Sequence, residues 1–127
     1  MGAWGVGLYS SDLALDLRTT IGAISRLPFE PVELLRLLCE SEPGASGAPE
    51  NADHTVFWLT AADQFAKRGL DCPEARERAL AIISGGQDLK AMARLGMDAP
   101  SLRKRSAMLA ELGARLQAPL PVKPRKC

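Results

Sequence analysis

Residues 53–70 read DHTVFWLTAADQFAKRGL. From about Thr55 to Arg68 no residue breaks a helix, and Gly69 is a natural C′ residue to close one. Phe57, Trp58 and Phe65 stand in this third helix among mostly small or apolar neighbours. A helix of that kind is stable only when other elements cover it. It therefore reads as the central helix of an all-α domain.

Upstream, Ser10-Ser11-Asp12 supplies an N-cap and an acid for a first helix. Leu13, Leu17, Ile21 and Ile24 then recur at spacings of 4, 4 and 3, one amphipathic face. Pro28 ends that helix, and Glu30-Pro31 opens a second, filled by Leu34, Leu35, Leu37 and Leu38 and therefore expected to be buried on more than one side. Residues 41–53, SEPGASGAPENAD, hold two prolines and two glycines and are expected to form a mobile, dispensable loop. Downstream, Cys72-Pro73-Glu74 starts a fourth helix that stops at Ser84-Gly85-Gly86. Asp88 to Leu95 forms a short fifth helix, closed by Gly96. Ser101 is expected to cap a sixth, with Leu102, Leu109, Leu112 and Leu116 on one face, ending before Pro119. The expected architecture is thus a compact bundle of about six helices over residues 1–118, followed by a proline-rich linker, 119–127. The glycine-rich opening, MGAWGVGLYS, is expected to be irregular and to pack on the central helix through Trp4, Leu8 and Tyr9.

Composition narrows the class. The chain has 127 residues, 46% of them hydrophobic and 24% charged, enough to bury a core without disulfides or metal. Scarce β-branched residues and abundant Ala and Leu argue against a β-sandwich or barrel. The net charge of +1 hides an asymmetry: residues 1–84 carry 12 acids and 7 bases, and residues 85–127 carry 3 acids and 9 bases. Three cysteines, Cys39, Cys72 and Cys127, have neither a disulfide-framework nor a zinc spacing, which fits a reducing, cytoplasmic setting. No apolar run approaches the roughly 20 residues of a membrane span, and no basic stretch leads into an apolar core as in a signal peptide. A phosphate loop, dinucleotide fingerprint and nucleophile elbow are all missing. No cofactor and no metal are expected.

A few side chains carry chemistry. Asp12 and Asp16 lie one helical turn apart and could share a metal or a proton, although acids near a helix N-terminus mainly favour the macrodipole. Asp63 is the more informative acid, alone in the uncharged FWLTAADQFA. A carboxylate there is either held by donors or functional, and the unpaired backbone N–H groups of the glycine-rich segment are its expected donors. His54, the only histidine, is expected to cap a helix or lie on the surface, with no nucleophile marked beside it. Lys90, Arg94, Arg103, Lys104 and Arg105 form a candidate basic patch. The stretch ALAIISGGQDLKAMARLG could pass for a helix-turn-helix, but a solvated helix face explains the same charges.

The opening MGAWGVGLYSSDLALDLR resembles that of an uncharacterised bacterial family, of the domain of unknown function 4259 type, whose members begin Met-Gly-Thr-Trp-Gly-Thr-Gly before an Asp-rich helix start. DHTVFWLTAADQFAKRGL is similar to the family's Phe-Trp-Leu-Ala-Leu-Ala-Asp stretch, and ERALAIISGGQDL and LRKRSAMLAELGARLQAP extend the likeness over most of residues 1–119. The chain departs from that pattern at Ala3, Val6 and Phe65. The resemblance implies no activity; it implies a further segment after the linker in longer members. Together these readings lead to a non-enzymatic protein-interaction or regulatory module, with Trp4, Asp12, Asp16, Trp58 and Asp63 as candidate site residues. Its expected partner is another protein or its own C-terminal segment. Two alternatives stand beside it: a weak nucleic-acid module using the basic patch, and an enzyme or metal site built from Asp12, Asp16 and Asp63.

Overall fold

The computed structural model describes residues 8–48, 51 and 53–117, which form an all-α bundle. A 3₁₀ turn, Leu8–Ser10, leads into α1 (Asp12–Ile24), α2 (Pro31–Ser41), α3 (Pro43–Gly47), α4 (His54–Lys67), α5 (Pro73–Gly85), α6 (Gln87–Arg94) and α7 (Ala99–Gln117). Residues 1–7, which hold Trp4 and the glycines of the opening, and the linker 119–127 lie outside the described residues; of the other expected anchors, Leu8 is buried in the core and Tyr9 packs against it.

Most boundaries follow local chemistry. The Ser11 side chain accepts from the Ala14 N–H at 3.2 Å, capping α1. Pro31 and Pro73 occupy first-turn positions where a missing N–H costs nothing. Gly86 adopts φ 69° between α5 and α6, a left-handed conformation that a side chain would strain.

Helix α4 is the hub. Every residue from His54 to Phe65 is buried, and α1, α3, α5, α6, α7 and the 3₁₀ turn all touch it. Phe57 and Trp58 meet edge to face, with ring centroids 5.2 Å apart. Leu17 and Ile21 from α1, Leu34 and Leu38 from α2, and Leu112 from α7 close the same core.

Three expectations are corrected. Segment 41–53 is not a free loop: residues 43–47 are the helix α3, and Ala45 and Ser46 are buried. The Trp58 Nε1–H donates to the Ser46 carbonyl at 3.1 Å, and His54 Nδ1 lies 2.8 Å from the Ala45 carbonyl. His54 is accordingly buried under α3 rather than placed on the surface. Finally, α7 begins at Ala99, and its cap is Asp98 rather than Ser101, because Asp98 Oδ1 accepts from the Ser101 N–H at 2.9 Å. The Ser101 hydroxyl and this N–H together hold the Asp98 carboxyl below its usual pKa.

Candidate functional site

Asp63 faces the 3₁₀ turn from the buried side of α4, with its side chain 3% exposed. The Tyr9 hydroxyl donates to Asp63 Oδ2 and accepts from Gln64 Nε2 at 2.6 Å. Lys67, one turn further along α4, places Nζ 3.0 Å from Asp63 Oδ2, and Arg115 from α7 places a guanidinium nitrogen 3.5 Å from Oδ1. The Tyr9 ring is also flanked by Arg18 at 5.6 Å and Lys67 at 5.3 Å from its centroid. Burial, and next the hydrogen bond to Asp63, push the Tyr9 phenol well above its usual pKa.

The expected partners of Asp63 were glycine N–H groups; its described partners are the side chains of Tyr9, Lys67 and Arg115. The glycines of that segment, all within residues 1–7, lie outside the described residues. Asp12 and Asp16 are exposed on α1 and do not join Asp63: among the described residues, no three His, Cys, Asp or Glu side chains gather to hold a metal. Asp16 instead borders a cleft of about 340 Å³ between α1 and the end of α2, with Glu42 opposite. The cleft's Thr19 and Ser41 hydroxyls are committed to their own helices, donating to the Leu15 and Leu38 carbonyls at 3.1 and 2.7 Å. Trp58 is wholly internal apart from a ring face that lies 4.6 Å from the Arg78 guanidinium. The hydroxyls nearest His54 in sequence, on Thr55 and Thr60, are buried without a hydrogen-bond partner, and His54 Nδ1 is turned to the Ala45 carbonyl. No base–nucleophile pair forms there.

The candidate basic patch divides. Lys90, Arg94, Arg103 and Lys104 are exposed, but Arg105 is buried. Its Nε and Nη2 donate to Asp88 Oδ2 and Oδ1 at 2.5 and 3.0 Å, a bidentate pair. Asp88 lies in the first turn of α6, where the helix dipole favours a carboxylate, and is fully buried. The pair therefore ties α6 to α7 and takes Arg105 out of any nucleic-acid surface.

A different surface stands out. Leu27, Phe29, Val32 and Leu37 are 42%, 41%, 55% and 39% exposed, on α2 and the turn that enters it. They account for four of the six large hydrophobic side chains exposed among the described residues, and α2, expected to be buried on more than one side, buries only the face of Leu34, Leu35 and Leu38. Pro28 and Pro31 flank Phe29 and fix the backbone that displays it. No described helix is long and apolar enough to cross a membrane. No family model, curated protein or solved structure matches the chain.

Proposed function

We propose that the chain is a non-enzymatic interaction module of a bacterial cytoplasmic protein, which docks a partner protein on the α2 surface. The observation that carries this reading is that Leu27, Phe29, Val32 and Leu37, all exposed, come from one short stretch, the turn into α2 and α2 itself. Exposed apolar side chains on a proline-fixed turn lose little conformational freedom on binding, so more of their burial energy becomes affinity. Fully burying one such side chain is worth about 1.5–3 kcal/mol, and these four are already half covered. Their combined burial supports an association of moderate strength. The bacterial setting rests on the resemblance of MGAWGVGLYSSDLALDLR; the free Cys39 and Cys72 fit a reducing compartment. The acids that an enzyme would need point the other way. Asp63 and Asp88 are engaged by Tyr9, Lys67, Arg115 and Arg105.

The test is site-specific photocrosslinking in cells, with the photoreactive group at Val32 and, as control, at the exposed Arg103. A discrete protein adduct at position 32 that is lost on Phe29→Asp, with the melting temperature unchanged, supports the docking surface. The same adducts at both positions overturn it. A crosslink within the chain itself makes the C-terminal segment the occupant and removes the partner protein.

A further inference from the structure

Helices α4 and α7 end near each other, and their last turns gather charge that is dispersed in the sequence. Lys67 and Arg115 both reach Asp63, at 3.0 and 3.5 Å. Arg18 from α1 flanks the same Tyr9 ring as Lys67. Arg68 follows Lys67 and lies over α1 beside Gly22, one turn beyond Arg18. A Cβ on Gly22 would stand 3.1 Å from the Arg68 Nη2, which places the guanidinium against the α1 backbone there. All four cations are exposed, and among the described residues neither Arg18 nor Arg68 makes an ion pair.

Helix C-termini attract cations, and that accounts for part of the cluster. Each contributes roughly half a negative charge. Lys67 and Arg115 pair with Asp63, and Glu111 lies one turn before Arg115 on α7; Arg18 and Arg68, without an ion pair among the described residues, are left facing solvent. A single carboxylate ligand does not match that surplus, whereas a phosphate group does. Three of the four cations are arginines, whose planar forks pair with phosphate oxygens two at a time. Asp63, itself buried and held by Tyr9, fixes Lys67 and Arg115 in place before any ligand arrives.

We propose that this surface binds a phosphate group, held by Arg18, Lys67, Arg68 and Arg115. The site is separate from the α2 surface and does not depend on it. The chemistry is common to a free phosphorylated small molecule and to a nucleic-acid backbone.

The experiment is a titration of the full chain with sodium pyrophosphate at low salt, followed by amide and arginine side-chain NMR. Saturable shifts centred on Tyr9, Arg18, Arg68 and Arg115 are expected, beyond those from chloride at equal ionic strength. Arg18→Ala/Arg68→Ala should weaken binding by about tenfold or more, since it removes two charge-assisted partners, and should leave the melting temperature unchanged. Arg103→Ala/Lys104→Ala removes the same charge elsewhere and should bind like the parent. Arg68→Gln alone gives the same direction should the double variant unfold. Equal binding by the Arg18/Arg68 variant, an equal loss in the Arg103/Lys104 control, or equal competition by a glutamate peptide overturns the proposal. A single-stranded oligonucleotide that binds more tightly than pyrophosphate, with a steep salt slope, identifies the nucleic-acid source. Binding of pyrophosphate without the oligonucleotide identifies the free phosphate.

Discussion

Replacing Arg105 by alanine tests the buried pair between α6 and α7. The guanidinium donates twice to Asp88, at 2.5 and 3.0 Å, and both side chains are almost completely removed from water. Alanine leaves the Asp88 carboxylate in the core without this partner. Breaking a buried pair from one side costs about 3–5 kcal/mol, because the remaining charge is desolvated and uncompensated. Domains of this size are stable by about 5–15 kcal/mol in all, so the loss is a large share. With a urea m-value of about 2 kcal/mol per molar, the unfolding midpoint should fall by roughly 1.5–2.5 M. Arg103→Ala and Lys104→Ala change exposed neighbours and should stay within about 0.5 kcal/mol of the parent. The assay is urea unfolding followed by tryptophan fluorescence, with circular dichroism as a second probe of two-state behaviour. An Arg105→Ala midpoint no lower than that of Arg103→Ala would refute the reasoning and return Arg105 to the surface patch. A coupling energy near zero in the Asp88→Ala/Arg105→Ala cycle would refute it independently.

Other contacts of the bundle carry expected outcomes of their own. Tyr9 is the only tyrosine of the chain, so the tyrosinate absorbance near 295 nm reports it alone. Its midpoint should lie above the model-compound value of 10.0 in the folded protein and return to it in urea; a native midpoint at 10.0 contradicts the buried Asp63 bond. Because the folded pKa is raised, this contribution to stability is complete below pH 10.0 and lost as pH rises from there toward the folded value, and Tyr9→Phe should remove that alkaline loss. Exchanging residues 43–48 for a Gly/Ser linker should lower the melting temperature by many degrees, since the His54 and Trp58 ring nitrogens each lose a buried partner worth about 1–3 kcal/mol; an unchanged value restores the dispensable loop. Thr60→Val replaces a buried, unpartnered hydroxyl by a methyl of similar shape and should stabilise by about 1 kcal/mol; a loss would reveal a hidden partner. Burial raises the Cys39 and Cys72 thiol pKa values, so both should react with a disulfide reagent far more slowly in native than in unfolded protein at pH 8; equal rates would contradict their placement.

The helices with local punctuation are legible in the sequence because their signals act within a few residues. Ser11, Pro31, Gly69, Pro73 and Gly86 each mark a boundary in place. Helix α3 is not legible in this way. Pro43-Gly44-Ala45-Ser46-Gly47 has the composition of a loop, and its carbonyls are held by His54 and Trp58, from the helix that follows. Asp98 outcompetes Ser101 as a cap because helix starts are set by which side chain reaches the N3 amide, and here that amide is Ser101's own. The burial of Arg105 did leave a trace. It precedes Leu109, Leu112 and Leu116 by 4, 7 and 11 residues, on the buried stripe of α7, whereas Arg103 and Lys104 fall off it. Reading the three as one basic run put chain adjacency ahead of helical phase.

The same error, at larger scale, hides the cation cluster. Summed along the chain, residues 1–84 are acidic, with 12 acids and 7 bases, and the basic surface is sought after residue 84. Yet Arg18, Lys67 and Arg68 all come from the acidic part, and only Arg115 from the basic one. Folding explains the inversion. Apart from the buried Asp63, the described acids of the first part lie on surface helix faces and turns, while Arg18 and Lys67 gather at Tyr9 and Arg68 lies beside Gly22 on α1. The electrostatic potential that a ligand meets depends on charges within about 10 Å of it, roughly the screening length at 0.1 M salt. Segment totals average over a whole helix or more, so they carry no information at that range. The sites to be sought in such a chain are therefore helix ends brought together by packing, and here Asp63, which Tyr9, Lys67 and Arg115 all reach, is the side chain they share.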